Sequence, residues 1–378
     1  MCLYVDDIIY MGSNESIVEE FKLGMMRSFE MTDLGLLHYF LGLEIKQSSD
    51  GVFLCQKKYA EDLLNSFHMM HCKPALTPMN TNEKLQMDDG TEATDARRYR
   101  GLVGRLIYLP HTRPYIAFSV GIVSRFMTAP TRHHFGAARR ILKYIACTYD
   151  YGVWYTWSDS LKLHGFTDSD WAGSIDDRKS TSGNVFLLGS NAITWSSRKQ
   201  ESVALSTTEA EYIAATSTAC QAVWLRRMLS DLSMVQKEST TIYCDNKSTI
   251  AIAKNPTLHR RTKHIDIRLH FIRSLISDGT ITLKHCSTEN QMADIFTKPL
   301  LVQKHTYLRN LLNVHSYQSR DDVENVLETT RVAVNLSDRA SGQDSVLEAI
   351  IYLHNYLSSG CHVLRGCMFR YYQLSVVD

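Results

Sequence analysis

The 378-residue chain predicts a mixed α/β (α+β) fold, centred on a five-stranded mixed sheet flanked by helices and preceded by a β-rich segment and a helical, basic one. Three observations predict it. Residues 162–196 hold three short apolar runs, the last two separated by Gly189-Ser190-Asn191, a hairpin signal. Residues 207–229 place Tyr212, Ala215, Ala219, Ala222 and Leu229 near one face of a long helix. Residues 241–296 then alternate strand, short helix, long helix, strand and helix start, the pattern of a compact α/β unit.

Composition sets the outer bounds. A chain of this length forms two or three domains, and 44% hydrophobic with 21% charged residues is the balance of a soluble globular protein. No apolar run is long enough to span a bilayer, and Asp6 and Asp7 interrupt the apolar N-terminus, which argues against a secretory signal and a membrane partner. Nine cysteines are scattered singly without a metal-ligand spacing, so reduced thiols and an intracellular compartment, a cytoplasmic particle or the nucleus, are expected. The net charge of +1 is uninformative, but its distribution is not: residues 97–143 contain ten Arg or Lys and no Asp or Glu. Such a stretch suits a polyanion, although spaced arginines also make an ordinary solvated face.

Residues 1–10 read as a hairpin with Asp6 and Asp7 at its tip. Ile17, Phe21, Met25 and Phe29 recur at helical spacing over 16–30, an apolar stripe for a core. Strands are expected over 36–46 and 52–55, joined by a turn at 48–51, and a helix over 56–67 that buries Ala60, Leu63, Leu64 and Phe67. The first segment is 1–76. The polar run 77–94, with Pro78 and Gly90, reads as an exposed linker, bounded at 77–95. Helices fill 99–147, within a connecting segment 96–158, with Leu102, Leu106, Ile107, Ile116, Val120 and Val123 supplying apolar faces. Arg139, Arg140 and Lys143 lie at i, i+1 and i+4, a spacing that offers them to a phosphate backbone.

The α/β unit occupies 159–310. Strands are expected at 162–170, 183–188, 192–196, 241–244 and 280–285, and helices at 207–229, 246–253 and 263–277. Another helix begins over 291–296 and is stopped by Pro299. Residues 311–378 carry no assignable function and read as a fused or read-through extension.

Acidic residues recur where these elements end: Asp168 in Thr167-Asp168-Ser169-Asp170, Glu209 or Glu211 at the start of the long helix, Asp245 after the fourth strand, and Asp294. Carboxylates gathered in one cleft repel each other, and a bound cation relieves that repulsion. Their expected ligand is a pair of Mg2+ ions, with Mn2+ as substitute, since hard oxygen donors suit these ions. Asp170 shares a strand face with Asp168, and a salt bridge or turn hydrogen bond is its ordinary role. Trp171 and Trp195 are expected to be buried indoles.

The motifs carry a family resemblance. Tyr4-Val5-Asp6-Asp7 resembles the catalytic box of reverse transcriptases, and Leu41-Gly42-Leu43-Glu44-Ile45 resembles the Ty1/copia class of long-terminal-repeat retrotransposon polyproteins. Residues 99–109, followed by Thr112-Arg113-Pro114-Tyr115-Ile116-Ala117, resemble the connecting segment of the same polyproteins. The element order over about 160–300 is similar to the ribonuclease H fold.

The resemblance implies that 1–76 is the C-terminal part of a reverse transcriptase palm and thumb. There Asp6 and Asp7 would need a third aspartate from an upstream reverse transcriptase portion, so polymerase activity is not expected from this polypeptide alone. It further implies a ribonuclease H acting on the RNA strand of an RNA–DNA hybrid, with Asp168, Glu209, Asp245 and Asp294 as catalytic metal ligands. Glu211 is the competing choice to Glu209. His285 is a candidate for proton transfer or product release, and Asn290 for orienting its loop. Candidate nucleic-acid contacts are Arg139, Arg140, Lys143, Arg198, Lys199, Asn246, Arg260, Arg261 and Lys263. A non-catalytic nucleic-acid-binding remnant is the alternative.

Overall fold

The computed structural model describes residues 2–4, 7–10, 15–48, 51–156, 161–254, 263–317 and 372–376. β1 (Cys2–Tyr4) and β2 (Asp7–Tyr10) form an antiparallel hairpin with Tyr4 opposite Asp7; Asp6 lies outside the described residues. In α1 (Glu15–Ser28) the buried stripe is displaced from the one expected. Phe21 and Met25 pack on Ile8, Tyr10, Val18 and Met31, whereas Ile17 and Phe29 are 61% and 59% exposed. Val18, Phe21 and Met25 stand at i, i+3 and i+7, so Val18 takes the inward place that the spacing assigned to Ile17.

The single strand expected over 36–46 is divided into β3 (Met31–Leu36), β4 (Tyr39–Phe40) and β5 (Leu43–Ser48). The physical reason is backbone: Leu41 and Gly42, between β4 and β5, have φ of 48° and 79°, outside the extended region. β6 (Gly51–Cys55) pairs with β5, and α2 (Lys57–Ser66) follows, with Ala60, Leu63 and Leu64 buried in the large core. The polar run 77–94 is tied down rather than free. Arg140 Nη2 donates to Thr77 Oγ1 (3.0 Å), Thr131 Oγ1 donates to Asp89 Oδ2 (2.6 Å), and Met87 N donates to Asp176 Oδ1 (2.9 Å).

The basic region forms α3 (Ala96–Tyr108), α4 (Ala117–Ser124) and α5 (Arg132–Ile145). Asp95 caps α3 by accepting from Arg97 N and Arg98 N, and Thr131 with His134 makes a capping box on α5. A strand not anticipated from sequence, β7 (Tyr151–Thr156), follows and pairs with β6.

The α/β unit runs β8 (Leu163–Ser169), β9 (Thr181–Leu188), β10 (Asn191–Lys199), α6 (Thr207–Asp231), β11 (Thr240–Cys244), α7 (Lys247–Lys254), α8 (Lys263–Ser277), β12 (Ile281–His285) and α9 (Val302–Leu311). A 3-10 helix, Met292–Phe296, stands before α9. The strand order is β10-β9-β8-β11-β12, with β8, β9 and β10 antiparallel and β8, β11 and β12 parallel. This is the five-stranded mixed sheet the sequence predicts. Because β8 and β11 run the same way, their C-terminal ends, carrying Asp168 and Asp245, meet at one edge of the sheet.

Among the described residues after α9 are two short strands, β13 (Val314–Ser316) and β14 (Tyr372–Val376). A second sheet, β13-β7-β6-β5-β4, draws its strands from before and after the α/β unit. The third has the order β1-β2-β14-β3. The large hydrophobic core is continuous across these parts: Leu102, Ile141, Leu187 and Phe296 belong to one buried cluster, and Trp195 Nε1 donates to Pro110 O (3.1 Å).

Gly183 decides how closely the 3-10 helix approaches β8. It stands opposite Asp168 in the β8–β9 register. A Cβ there would lie 2.7 Å from Thr297 Cγ2, 2.8 Å from Phe296 Cβ and 3.1 Å from Ala293 O. Gly183→Ala is therefore expected to destabilise the protein by about 1–3 kcal/mol through overpacking. A urea-denaturation midpoint unchanged from wild type would contradict this.

Candidate metal centre

Asp168 enters the site on β8, where strand alternation places Phe166 and Asp168 on the face opposite Thr167. It is almost fully buried, accepts from Thr297 Oγ1, and pairs with Lys298 Nζ at 3.4 Å. Gln291 ties the next element to the strand: its Nε2 donates to Thr167 O (2.9 Å) and its Oε1 accepts from Ala293 N (3.2 Å). This anchors the 3-10 helix so that Asp294, buried, faces Asp168. Asp245 follows β11, half-buried, and Thr288 Oγ1 donates to its Oδ2 (3.3 Å).

Oxygens of Asp168, Asp245 and Asp294 lie within 4.8 Å of one another. A second trio, Glu211, Cys244 and Asp245, meets the same limit, so Asp245 joins the two into one continuous site. Glu211 is buried, accepts from Ser169 N at 3.4 Å, and lies within hydrogen-bonding reach of Asp168. Gln200 holds this corner: its Nε2 donates to Ser169 Oγ (3.1 Å), Ser182 Oγ (2.9 Å) and Ala210 O (3.0 Å).

Glu209, expected at that corner, is elsewhere. Ser206 caps α6 by accepting from Glu209 N (3.2 Å), and Glu209 Oε2 turns back to accept from Leu205 N (3.0 Å). Two positions apart on a helix are about 200° apart in direction, so only one of the two acids can face β8. The structure turns Glu211 inward and leaves Glu209 as a cap.

Burial and mutual repulsion act on these acids together. Burial, then the charges of Asp168 and Asp245, push the Glu211 carboxyl up to about 10. Asp294 is raised to about 6 by burial and Asp168, against the pull of Lys298. Asp245 is raised by burial and then by Asp168. Asp170 is raised to about 6, mainly by burial; its Oδ1 accepts from Thr181 N, a structural role. The Cys244 thiol is driven well above its ordinary range by burial and Glu211, so it stays neutral near pH 7.

An acid whose folded pKa is raised keeps its proton in the native state while the unfolded chain has lost it, so stability falls with rising pH. For these acids in the metal-free protein the loss begins near pH 4, the ordinary carboxylate range, while burial of His305, His134, His164 and His111 lowers each imidazole and acts with the opposite sign up to the ordinary histidine range. Asp294 contributes until about 6 and Glu211 until about 10. Thermal denaturation in EDTA at pH 7, 8 and 9, above the range in which the buried histidines act with the opposite sign, is expected to give falling midpoints, with most of the fall removed in Glu211→Gln. A midpoint that rises over this range would contradict it.

The residue set fits a hard divalent cation. Asp294 Oδ1 is buried with no hydrogen bond of ordinary direction, although Lys298 Nζ stands 2.8 Å away. Four carboxylates converge from four elements, and the two soft donors near them, Cys244 and Cys286, are both held as neutral thiols by burial and the neighbouring acids.

The remaining expected residues are dispersed. His285 is exposed at the end of β12, level with Cys244. Asn246 Oδ1 accepts from Thr249 N (3.0 Å), capping α7 instead of standing free, and Asn290 Oδ1 accepts from Tyr307 Oη (3.1 Å). Arg139, Lys143 and Arg198 are exposed, Arg140 is tied to Thr77, and Lys199 pairs with Asp177 (2.8 Å). Arg260 and Arg261 lie outside the described residues, and Lys263 begins α8. Trp171, expected to be buried, is 53% exposed because it sits past the end of β8, with Nε1 donating to Ala204 O (3.3 Å). Sequence reasoning missed Gln200, Gln291, Thr297 and Lys298. For Lys298 the signal was present, an i+4 spacing from Asp294.

Residues 1–81 match the family model described as reverse transcriptase (RNA-dependent DNA polymerase). The chain is 41% identical over 300 residues to the retrovirus-related Pol polyprotein from transposon RE1 of Arabidopsis thaliana, covering 79% of this chain and 20% of that one. It is 32% identical over 221 residues to a transposon Ty5-1 protein of Saccharomyces cerevisiae, covering 58% of this chain and 72% of the relative. The chain thus spans about a fifth of the length of the long polyproteins it matches. Among solved structures, LC11-RNase H1, isolated from compost, aligns at 15% identity and a TM-score of 0.29, over 36% of this chain and 93% of that one. No helix among the described residues is long and apolar enough to cross a membrane.

Proposed function

This chain belongs to the Pol polyproteins of Ty1/copia-type long-terminal-repeat retrotransposons, and from that premise we propose that residues 159–310 hydrolyse the RNA strand of an RNA–DNA hybrid. The observation that carries the reading is the convergence of Asp168, Asp245 and Asp294 within 4.8 Å, with Glu211 bound to the same corner.

Asp168, Glu211, Asp245 and Asp294 are the proposed ligands of two Mg2+ ions, with Mn2+ able to replace them. When bound, two such ions activate a water and stabilise the leaving 3′ oxygen of a phosphodiester. The protein's own contribution is preorganisation. Gln291 and Thr297 hold Asp168 and Asp294 face to face, and Gln200 holds the start of α6 against β8. These contacts fix the carboxylates before substrate arrives, so little reorganisation accompanies reaction. Cys244, kept as a thiol, leaves the site to oxygen donors.

Exposed Arg198, Arg139 and Lys143 are the proposed phosphate contacts, supplying affinity without sequence information. Selection of RNA over DNA would come from 2′-hydroxyls read across a wide minor groove. The segment 1–76 is proposed to be reverse transcriptase palm and thumb, with Asp6 and Asp7 serving polymerisation. Residues 77–95 and 96–158 are proposed as linker and connection.

The test is Mg2+-dependent cleavage by the full chain of an end-labelled RNA annealed to DNA, beside duplex DNA of the same sequence. Cleavage within the RNA strand alone supports the reading. Binding of the hybrid without cleavage would favour a non-catalytic remnant.

A further inference from the structure

Lys298 lies just past the 3-10 helix, with its backbone N donating to Asp294 O (3.2 Å). Its Nζ stands 2.8 Å from Asp294 Oδ1 and 3.4 Å from Asp168 Oδ2, bridging two of the acids proposed to bind metal. The neighbouring Lys304 is differently held. Its Nζ donates to the carbonyls of Thr288 and Glu289, both at 2.6 Å, and is 3.7 Å from Asp294 Oδ2. Lys304 is thus fixed by backbone, whereas the recorded partners of the Lys298 ammonium are carboxylates. The Lys298 side chain is 37% exposed, so its flexible stem reaches the acids from the solvent side and has room to withdraw.

We propose that Lys298 is a resident counter-cation of the Asp168–Asp294 edge, a positioning residue that neutralises this edge in the metal-free protein and must yield it to a divalent ion. The inference rests on the metal-binding reading above and adds an ordering to it. Among the described residues no lysine or arginine nitrogen lies within 4.0 Å of a Glu211 or Asp245 carboxylate oxygen, Lys298 acting on Asp245 only at longer range, so the Glu211–Asp245 side fills first; the Asp294 side fills second and more weakly. Thr297, bonded to Asp168, anchors the backbone beside Lys298, so withdrawal is a side-chain movement and the ligands stay in place.

Mn2+ titration of the full chain, followed by calorimetry and by the electron paramagnetic resonance of free Mn2+, tests this. Wild type is expected to show a tight and a weak class of site. In Lys298→Met the weak class tightens about tenfold, the scale on which one neighbouring like charge acts, while Lys298→Arg keeps the wild-type separation. A weak class unchanged in a folded Lys298→Met protein would overturn the proposal while leaving the metal centre standing. Absence of Mn2+ binding by wild type would overturn the metal centre itself, and this proposal with it. A second readout needs no variant: acetylation of the Lys298 amine in wild type, followed by mass spectrometry, is expected to rise several-fold when Mn2+ is added. Equal labelling with and without Mn2+ would contradict withdrawal.

Discussion

Asp168→Asn is expected to lower hybrid cleavage by about 10³-fold or more in kcat/KM, about 4 kcal/mol of lost transition-state stabilisation. The size follows from position. Asp168 belongs to the 4.8 Å trio, touches Glu211, and is the residue on which Thr297 and Lys298 both converge. Asparagine keeps the shape and an oxygen able to accept from Thr297, so the fold is expected to survive with stability changed by no more than about 1 kcal/mol. Removing a charge from a crowded acidic cleft also lessens repulsion. The variant should bind hybrid as wild type does and fail to cut it. Cleavage within tenfold of wild type would show that the reaction does not run through this cluster.

The second large effect separates two glutamates. Glu211→Gln is expected to reduce cleavage by about 10²–10³-fold, the scale of removing one electrostatic contact to the reacting centre. Its fold should hold, since Glu211 keeps its proton at neutral pH and glutamine is nearly its neutral replica. Glu209→Ala is expected to leave cleavage within a few-fold of wild type and to cost about 0.5–1 kcal/mol of stability through loss of the contact to Leu205 N. Paired kinetic and thermal measurements on both variants decide it. The reverse pattern would return the ligand role to Glu209.

The α/β unit was legible in sequence because its signals are local. Short apolar runs and the order of elements marked the strands at 162–170 and 241–244, observed at Leu163–Ser169 and Thr240–Cys244, and small-residue periodicity marked α6. In the second sheet the β5–β6 pair was legible as the strands expected over 36–46 and 52–55, but β7 and β13 were not, because they owe their strand state to each other and to β6, partners distant in sequence. Tyr151–Thr156 is aromatic and β-prone, yet it follows a long basic helical stretch that masked it. At the site, sequence order marked three of the four acids that converge. The choice between Glu209 and Glu211 depended on the phase of α6, which Ser206 sets by capping it. Glu209 sits at the N3 position, where a carboxylate readily turns back to a free backbone N–H. The contribution of Lys298 required knowing that the chain after the 3-10 helix returns to Asp168.

The most direct measurement is anomalous diffraction from crystals of the full chain soaked in Mn2+ with hybrid bound. Two peaks are expected, sharing Asp168, one toward Glu211 and Asp245 and the other toward Asp294, with Lys298 turned away from the second. A cleft that shows no manganese peak beside Asp168 with hybrid in place would contradict the account.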